Sequence, residues 1–175
     1  MKKILFITLM SSGGGAERVL THLANYFSEN NLEVYFYSFK NNGYYNISDK
    51  IKVNSPNIKC CKTTKYKEIN HLRCYLRNNK FNCIISFGFP ACIKLAFASI
   101  GLSIRKNIIM SERNDPTHNI SSKLKRRLRI WAYNSAKYVV FQTKEAMEYF
   151  PAQIQKKGII IPNPLITNNI KRAEI

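Results

Sequence analysis

The stretch Ile4-Leu5-Phe6-Ile7-Thr8-Leu9-Met10-Ser11-Ser12-Gly13-Gly14-Gly15-Ala16-Glu17-Arg18 decides the fold. Its first seven residues form a nearly unbroken apolar run, the pattern of a strand buried on both faces in a parallel sheet. Three glycines end the run. Beyond them Ala16, Val19, Leu20, Leu23 and Phe27 fall on one arc of a 3.6-residue wheel, with Glu17, Arg18, Thr21 and Asn25 outside it. The unit reads as strand, glycine turn and amphipathic helix.

The same alternation continues outward from this unit. Strands are expected at Leu32 to Phe39, Ile51 to Val53, Cys83 to Phe87, Asn107 to Ser111, Tyr138 to Phe141 and Gly158 to Ile161. Helices are expected between them at Tyr66 to Asn79, Ala91 to Ile100, Ser122 to Ser135 and Lys144 to Phe150. Strands and helices taken in turn imply βαβ crossovers. The fold class is therefore α/β, a Rossmann-like doubly wound parallel sheet with helices on both faces. Residues 1–167 form this domain, and the polar stretch 168–175 reads as the start of a linker.

Composition narrows the partners. The chain has 175 residues, one domain's length, and a hydrophobic fraction of 45%, which excludes a disordered chain. With 28 Lys and Arg against 10 Asp and Glu the net charge is +18, so the partner should be anionic: phosphate, nucleic acid or a membrane surface. Cys60, Cys61, Cys74, Cys83 and Cys92 show no C-x-x-C pair and read as buried or bystander thiols in a reducing cytosol. The apolar run after Met1-Lys2-Lys3 is too short for a signal peptide and reads as the first strand. No run is long and apolar enough to span a membrane.

In a doubly wound sheet ligands sit beyond the C-terminal ends of the strands, here at Met10 to Ala16, Phe87 to Ala91, Ser111 to Asn119 and Gln142-Thr143. Gly13, Gly14 and Gly15 precede a helix, so their backbone can approach a phosphate held at the helix N-terminus. The run can equally be a tight turn that needs glycine only for a positive φ. It matches neither G-x-G-x-x-G nor the P-loop pattern, which disfavours a dinucleotide enzyme. The loop Ser111-Glu112-Arg113-Asn114-Asp115-Pro116-Thr117-His118 concentrates polar groups at the same rim: Arg113 suits a phosphate or carboxylate, and Glu112 or Asp115 could accept from sugar hydroxyls. Alternatively Asp115-Pro116 is a turn and Glu112-Arg113 a solvated pair. His22 and His71 read as solvated, which leaves His118 as the histidine near the rim. No metal-binding or nucleophile motif is present.

The helix at Ser122 to Ser135 carries Lys123, Lys125, Arg126, Arg127 and Arg129. Ile120, Leu124, Leu128 and Trp131 form a narrow stripe on its wheel, with Ile130 and Tyr133 among the bases. This suits an anionic membrane surface, reached through Lys123, Arg126, Arg127, Arg129, Ile130 and Tyr133. A core-packed helix with a solvated basic back is the alternative. Nucleic acid is disfavoured because no zinc-finger, RNP or KH signature accompanies the charge.

Three motifs in order resemble the amino-terminal half of glycosyltransferase family 4 enzymes, which have the two-domain GT-B fold: Gly13 to Arg18, Ser111 to Pro116, and Val139 to Thr143 leading to Ile161-Pro162-Asn163-Pro164. The resemblance implies a retaining, metal-free sugar transfer from a nucleotide-diphosphate sugar, with no further cofactor. It places the donor diphosphate at Gly13, Gly14 and Gly15, the acceptor at Glu112, Arg113, Asn114 and Asp115, and catalytic roles at Arg113 and His118. It further implies a lipid-linked saccharide acceptor, a bacterial capsule, O-antigen or glycolipid pathway, and a peripheral place on the cytoplasmic face of the membrane. The donor-binding carboxy-terminal domain is expected to lie outside this chain, leaving the isolated domain inactive. A non-catalytic module for a phosphorylated ligand or nucleic acid is the alternative.

Overall fold

The computed structural model describes residues 1–9, 14–40, 45–56, 65–117 and 122–163. The first unit forms as its sequence dictates, with β1 at Lys3–Thr8 and α1 at Gly15–Glu29. There follow β2 (Glu33–Ser38), β3 (Lys52–Asn54), α2 (Lys65–Asn78), β4 (Cys83–Phe87), α3 (Phe89–Ala98), a 3₁₀ turn at Ser103–Asn107, β5 (Ile108–Ser111), α4 (Lys123–Asn134), β6 (Tyr138–Phe141), α5 (Lys144–Glu148), α6 (Ala152–Gln155) and β7 (Gly158–Ile160). The helix expected from Lys144 to Phe150 forms and ends at Glu148, ahead of Pro151, which lacks an N–H; a further short helix that the sequence reading did not include, α6, follows that proline.

All seven strands lie in one sheet in the order β3-β2-β1-β4-β5-β6-β7, and every neighbouring pair is parallel. The order reverses between β1 and β4. There the connections leave toward opposite edges, opening a crevice at the C-terminal ends of the strands.

Alternate residues of β1 feed two cores, as the period of two in a strand requires. Leu5 and Ile7 join Tyr37, Ile84, Met110 and Phe141 against α2, α3 and α4, while Ile4 and Phe6 join Val34, Phe36, Ile85 and Phe87 against α1. Helices therefore cover both faces. The buried residues of α1 are Glu17, Leu20, Thr21 and Ala24, so Glu17 and Thr21, expected on the solvent side, are buried instead, with Glu17 lining a cleft at the start of the helix. The small residues Thr21 and Ala24 let α1 approach closely, and the larger Val19, Leu23 and Phe27 flank the contact. His22 and His71 are both exposed as expected, and Nδ1 of His71 also lies 2.8 Å from the Tyr37 hydroxyl. Cys92 is buried, and desolvation pushes its thiol up to about 12.

Candidate functional site

The crevice at the switch point is built first by backbone. Gly14 caps α1 with φ −75°, and its carbonyl accepts from the N–H of Glu17 and Arg18 at 3.0 and 3.1 Å. Neither Gly14 nor Gly15 has a positive φ, and a Cβ on Gly15 would meet nothing within 4 Å. The turn explanation therefore fails at these two glycines. What they provide is an open approach to the N-terminal end of a four-turn helix, where unpaired N–H groups favour an anion. Gly13 lies outside the described residues.

Gly88, between β4 and α3, does need to be glycine: its φ is +82°, and its N–H donates to the Ser111 carbonyl at 3.3 Å. That bond draws the end of β4 toward the loop that follows β5. Arg113 in that loop lays its guanidinium 4.2 Å from the centre of the Phe87 ring and donates from Nη1 to Oδ1 of Asn163 at 2.7 Å. Gln142 donates to the same oxygen at 3.3 Å. Nε of Arg113 is buried without a partner, and desolvation holds its pKa below the usual guanidinium range. Gly14, Gly15, Arg113, Asn114, Gln142 and Asn163 together line a cleft of about 370 Å³. The cleft thus joins the ends of β1, β5, β6 and β7, four strands that are far apart in sequence. Gln142 stands at a strand end where a ligand loop was expected, whereas Asn163, although within a quoted motif, was given no role, and only the sheet order brings it to Arg113.

Glu112 is 2% exposed, and its carboxylate is fully engaged within the protein. Oε1 accepts from the backbone N–H of Arg113 and Asn114, at 3.1 and 3.3 Å. Oε2 accepts from Arg129 at 3.2 Å and from the Tyr133 hydroxyl at 3.0 Å. The solvated Glu112-Arg113 pair is thus replaced by an internal network, and Glu112 also borders the cavity formed with Asn114 and Asp115. Asp115 accepts from the N–H and hydroxyl of Thr117, a turn of the kind expected before proline. Asn114, Asp115, Thr117, Gln142, Thr143 and Glu145 border a second cavity of about 380 Å³ beside the first. His118 lies outside the described residues.

Helix α4 departs most from expectation. Its buried stripe is Arg129, Ala132 and Tyr133, with Arg129 1% and Tyr133 0% exposed. Neither belongs to a membrane surface. Ile130 is half-buried and borders a groove with Arg126, Tyr149 and Phe150. The Arg129 guanidinium packs 4.9 Å from the Phe150 ring and 5.4 Å from Tyr149, which is how a cation is accommodated under a helix. Burial, with the Glu112 carboxylate beside it, pushes the Tyr133 phenol well above its usual range. The outward face instead carries Lys123, Leu124, Lys125, Arg126, Arg127 and Trp131. Leu124 is 66% exposed, and Trp131 rests on Phe97 with ring centres 4.6 Å apart. The spacing Arg129, Ala132, Tyr133, Ala136 was the sequence signal of the inner face.

Among the described residues no three His, Cys, Asp or Glu side chains are grouped to hold a metal ion, and no helix is long and apolar enough to cross a membrane.

Residues 13–169 match the model of the family described as Glycosyltransferase Family 4. No curated protein matches the sequence. Among solved structures, HepE of Anabaena in complex with UDP and glucose superposes with a TM-score of 0.70 at 16% identity, over 94% of this chain and 45% of that one. The lipopolysaccharide outer core galactosyltransferase WaaB gives 0.65 at 17% identity, over 96% and 47%. MurG of Acinetobacter baumannii gives 0.63 at 14% identity, over 94% and 47%. At these identities the likeness shows the fold: the Rossmann-like half of a GT-B architecture. The chain spans less than half the length of each of these proteins.

Proposed function

The chain belongs to glycosyltransferase family 4, and from that membership we propose that it is the acceptor-binding half of a retaining glycosyltransferase. The reaction moves a sugar from a nucleotide-diphosphate sugar to a lipid-linked saccharide, in the making of a bacterial surface polysaccharide or glycolipid. The observation that carries this reading is the cleft in which the open N-terminus of α1 faces Arg113, Gln142 and Asn163.

Each part has a task in such a transfer. Negative charge builds on the diphosphate as the glycosidic bond breaks, and a helix N-terminus and a nearby guanidinium stabilise charge that develops there. Arg113 is ready for this because Phe87 and Asn163 hold its guanidinium in place before any ligand arrives. Asn114 and Asp115, at the rim of the second cavity, suit the hydroxyls of a saccharide acceptor. Gly14 and Gly15 keep the diphosphate path clear, and His118 and Gly13 remain assigned to the site on the family resemblance alone. The nucleotide is assigned to a second domain of the complete polypeptide; HepE, a protein about twice as long, was solved in complex with UDP and glucose. The +18 charge and the outer face of α4 fit a peripheral place on an anionic membrane, where a lipid-linked acceptor resides.

The test is a transfer assay with a panel of nucleotide sugars and a lipid-linked acceptor extract, run on the 175-residue chain and on the complete polypeptide its locus encodes. Transfer by the complete polypeptide, lost in Arg113→Ala, is expected. Absence of transfer from both, with salt-sensitive binding of nucleic acid instead, would overturn the reading in favour of a binding module.

A further inference from the structure

One side chain fastens the stretch 112–116 after β5 at both of its ends. Arg129 comes from α4, seventeen residues along the chain from Glu112, and its Nη1 donates to Glu112 Oε2 at 3.2 Å. Its other terminal nitrogen, Nη2, donates to the carbonyl of Pro116 at 3.2 Å. Between these two anchors lie Arg113, Asn114 and Asp115, the residues the loop offers to the cavities. The other oxygen of Glu112 meanwhile holds the N–H groups of Arg113 and Asn114. The carboxylate is thus a bridge, with the backbone of the site on one oxygen and α4 on the other, and Tyr133 adds a second donor from α4.

We propose that Arg129 is a positioning residue for the transfer reaction: through Glu112 and Pro116 it sets the backbone that presents Arg113 and Asn114 to the cleft. The inference rests on the transferase reading for the reaction it serves, and on the geometry alone for the clamp. Arg129 lines neither of the two site cavities; at 1% exposed it only floors the groove beside Ile130 and Tyr149, and its Nε is buried without a partner. The guanidinium therefore forgoes one of its own hydrogen bonds while serving both loop anchors. Stability is a poor account of this arrangement, because a buried ion pair contributes little beyond what apolar side chains of equal volume would. Orientation is a better one. A guanidinium is a rigid planar fork that holds two acceptors at a fixed angle, which a lysine ammonium on a flexible stem does not.

The experiment compares Arg129→Lys and Tyr133→Phe with the unaltered chain by amide hydrogen exchange, and in the transfer assay with the complete polypeptide. In Arg129→Lys the amides of Arg113 and Asn114 are expected to accelerate about tenfold more than those of Leu5 and Ile84 in the sheet, which report the change in global stability. Transfer by this variant is expected to show kcat reduced about tenfold or more with KM for the nucleotide sugar unchanged. Tyr133→Phe leaves the fork in place, and a rise of about threefold at the same two amides is expected. This variant carries the comparison if Arg129→Lys does not fold. Unchanged exchange at Arg113 and Asn114, or acceleration of all four amides by one common factor, overturns the clamp. If the clamp holds but no unaltered polypeptide transfers sugar, it is the transferase reading that falls, and with it the reaction assigned to Arg129.

Discussion

The guanidinium of Arg113 sits over the Phe87 ring, 4.2 Å from its centre, so that the end of one strand holds the cation carried by the loop of the next. Phe87 is itself buried and Asn163 fixes the other edge of the guanidinium at 2.7 Å. Lysine at position 113 would keep a charge but lose the planar fork and its directed bond to Asn163. Arg113→Lys is expected to lower kcat/KM for transfer by about ten- to a hundredfold, while unfolding stability changes by less than about 1 kcal/mol, the range of a partly exposed cation–π contact. Kinetics and urea unfolding on one preparation check this. A stability loss as large as the activity loss would make Arg113 a structural residue.

The Glu112–Arg129 pair, with side chains 1% and 2% exposed, invites a different experiment. Removing one partner leaves the other charge buried and uncompensated. Glu112→Ala and Arg129→Ala are each expected to destabilise by about 3–5 kcal/mol, whereas the apolar pair Glu112→Leu with Arg129→Met should recover most of that. Urea unfolding of the four proteins closes the cycle. Additive losses would mean that the two side chains do not act on each other.

These two pairs also mark where the sequence was legible and where it was not. The strand alternation needs only local apolar runs, so the sheet, its parallel sense and its rim of ligand loops could be read residue by residue. The region of the site followed, since Gly14, Gly15 and Arg113 stand where strands end. What could not be read was which polar groups turn inward. Arg129 sits in a run of five cations and gives no local sign of burial; its partner Glu112 is seventeen positions away. A wheel that weighs hydrophobicity puts Arg129 outside and Leu124 inside, and the protein does the reverse because a specific ion pair outweighs the average preference. Glu17 and Thr21 on α1 failed to be read for a similar reason: Glu17 lines a cleft at the start of the helix, and close packing at Thr21 selects a small side chain over a bulky apolar one. Asn163 required the strand order, which no local pattern contains.

The edge of the sheet offers a pH test away from the site. Glu33 on β2 accepts from Lys52 on β3 at 2.7 Å and from the Tyr35 hydroxyl at 2.6 Å, and these bonds, with the charge of Lys3 nearby, lower its pKa to about 2. A carboxyl whose pKa is lower folded than unfolded binds its proton more readily in the unfolded chain. The stabilisation is then complete above the ordinary value of 4.5 and is lost as pH falls toward 2. Titration of the Glu33 side-chain carbon by NMR is expected to show the low midpoint, and Lys52→Met should move it back toward the ordinary value. An ordinary midpoint in the unaltered protein would show that the pair does not persist in solution.

The outer face of α4 yields the last expectation. Lys123, Lys125 and Arg127 are exposed there around Leu124, which is 66% exposed and has no place in the core. Each basic residue close to an anionic bilayer contributes about 1 kcal/mol, so neutralising all three with glutamine should weaken binding to phosphatidylglycerol vesicles by about a hundredfold at low salt. Leu124→Ser should weaken it further, by about tenfold, through lost apolar contact. A general effect of high positive charge would behave otherwise. Arg77, Lys80 and Lys106 are exposed around a separate cavity of about 400 Å³, formed by the end of α2 and the 3₁₀ turn before β5, and neutralising them removes the same charge from a different face. Vesicle sedimentation of both triple variants separates the cases: binding lost only with the α4 set assigns the membrane to that helix. Equal loss from both sets would reduce the interaction to net charge. Equal binding to neutral phosphatidylcholine vesicles, unaffected by about 0.5 M salt, would remove the electrostatic attachment altogether.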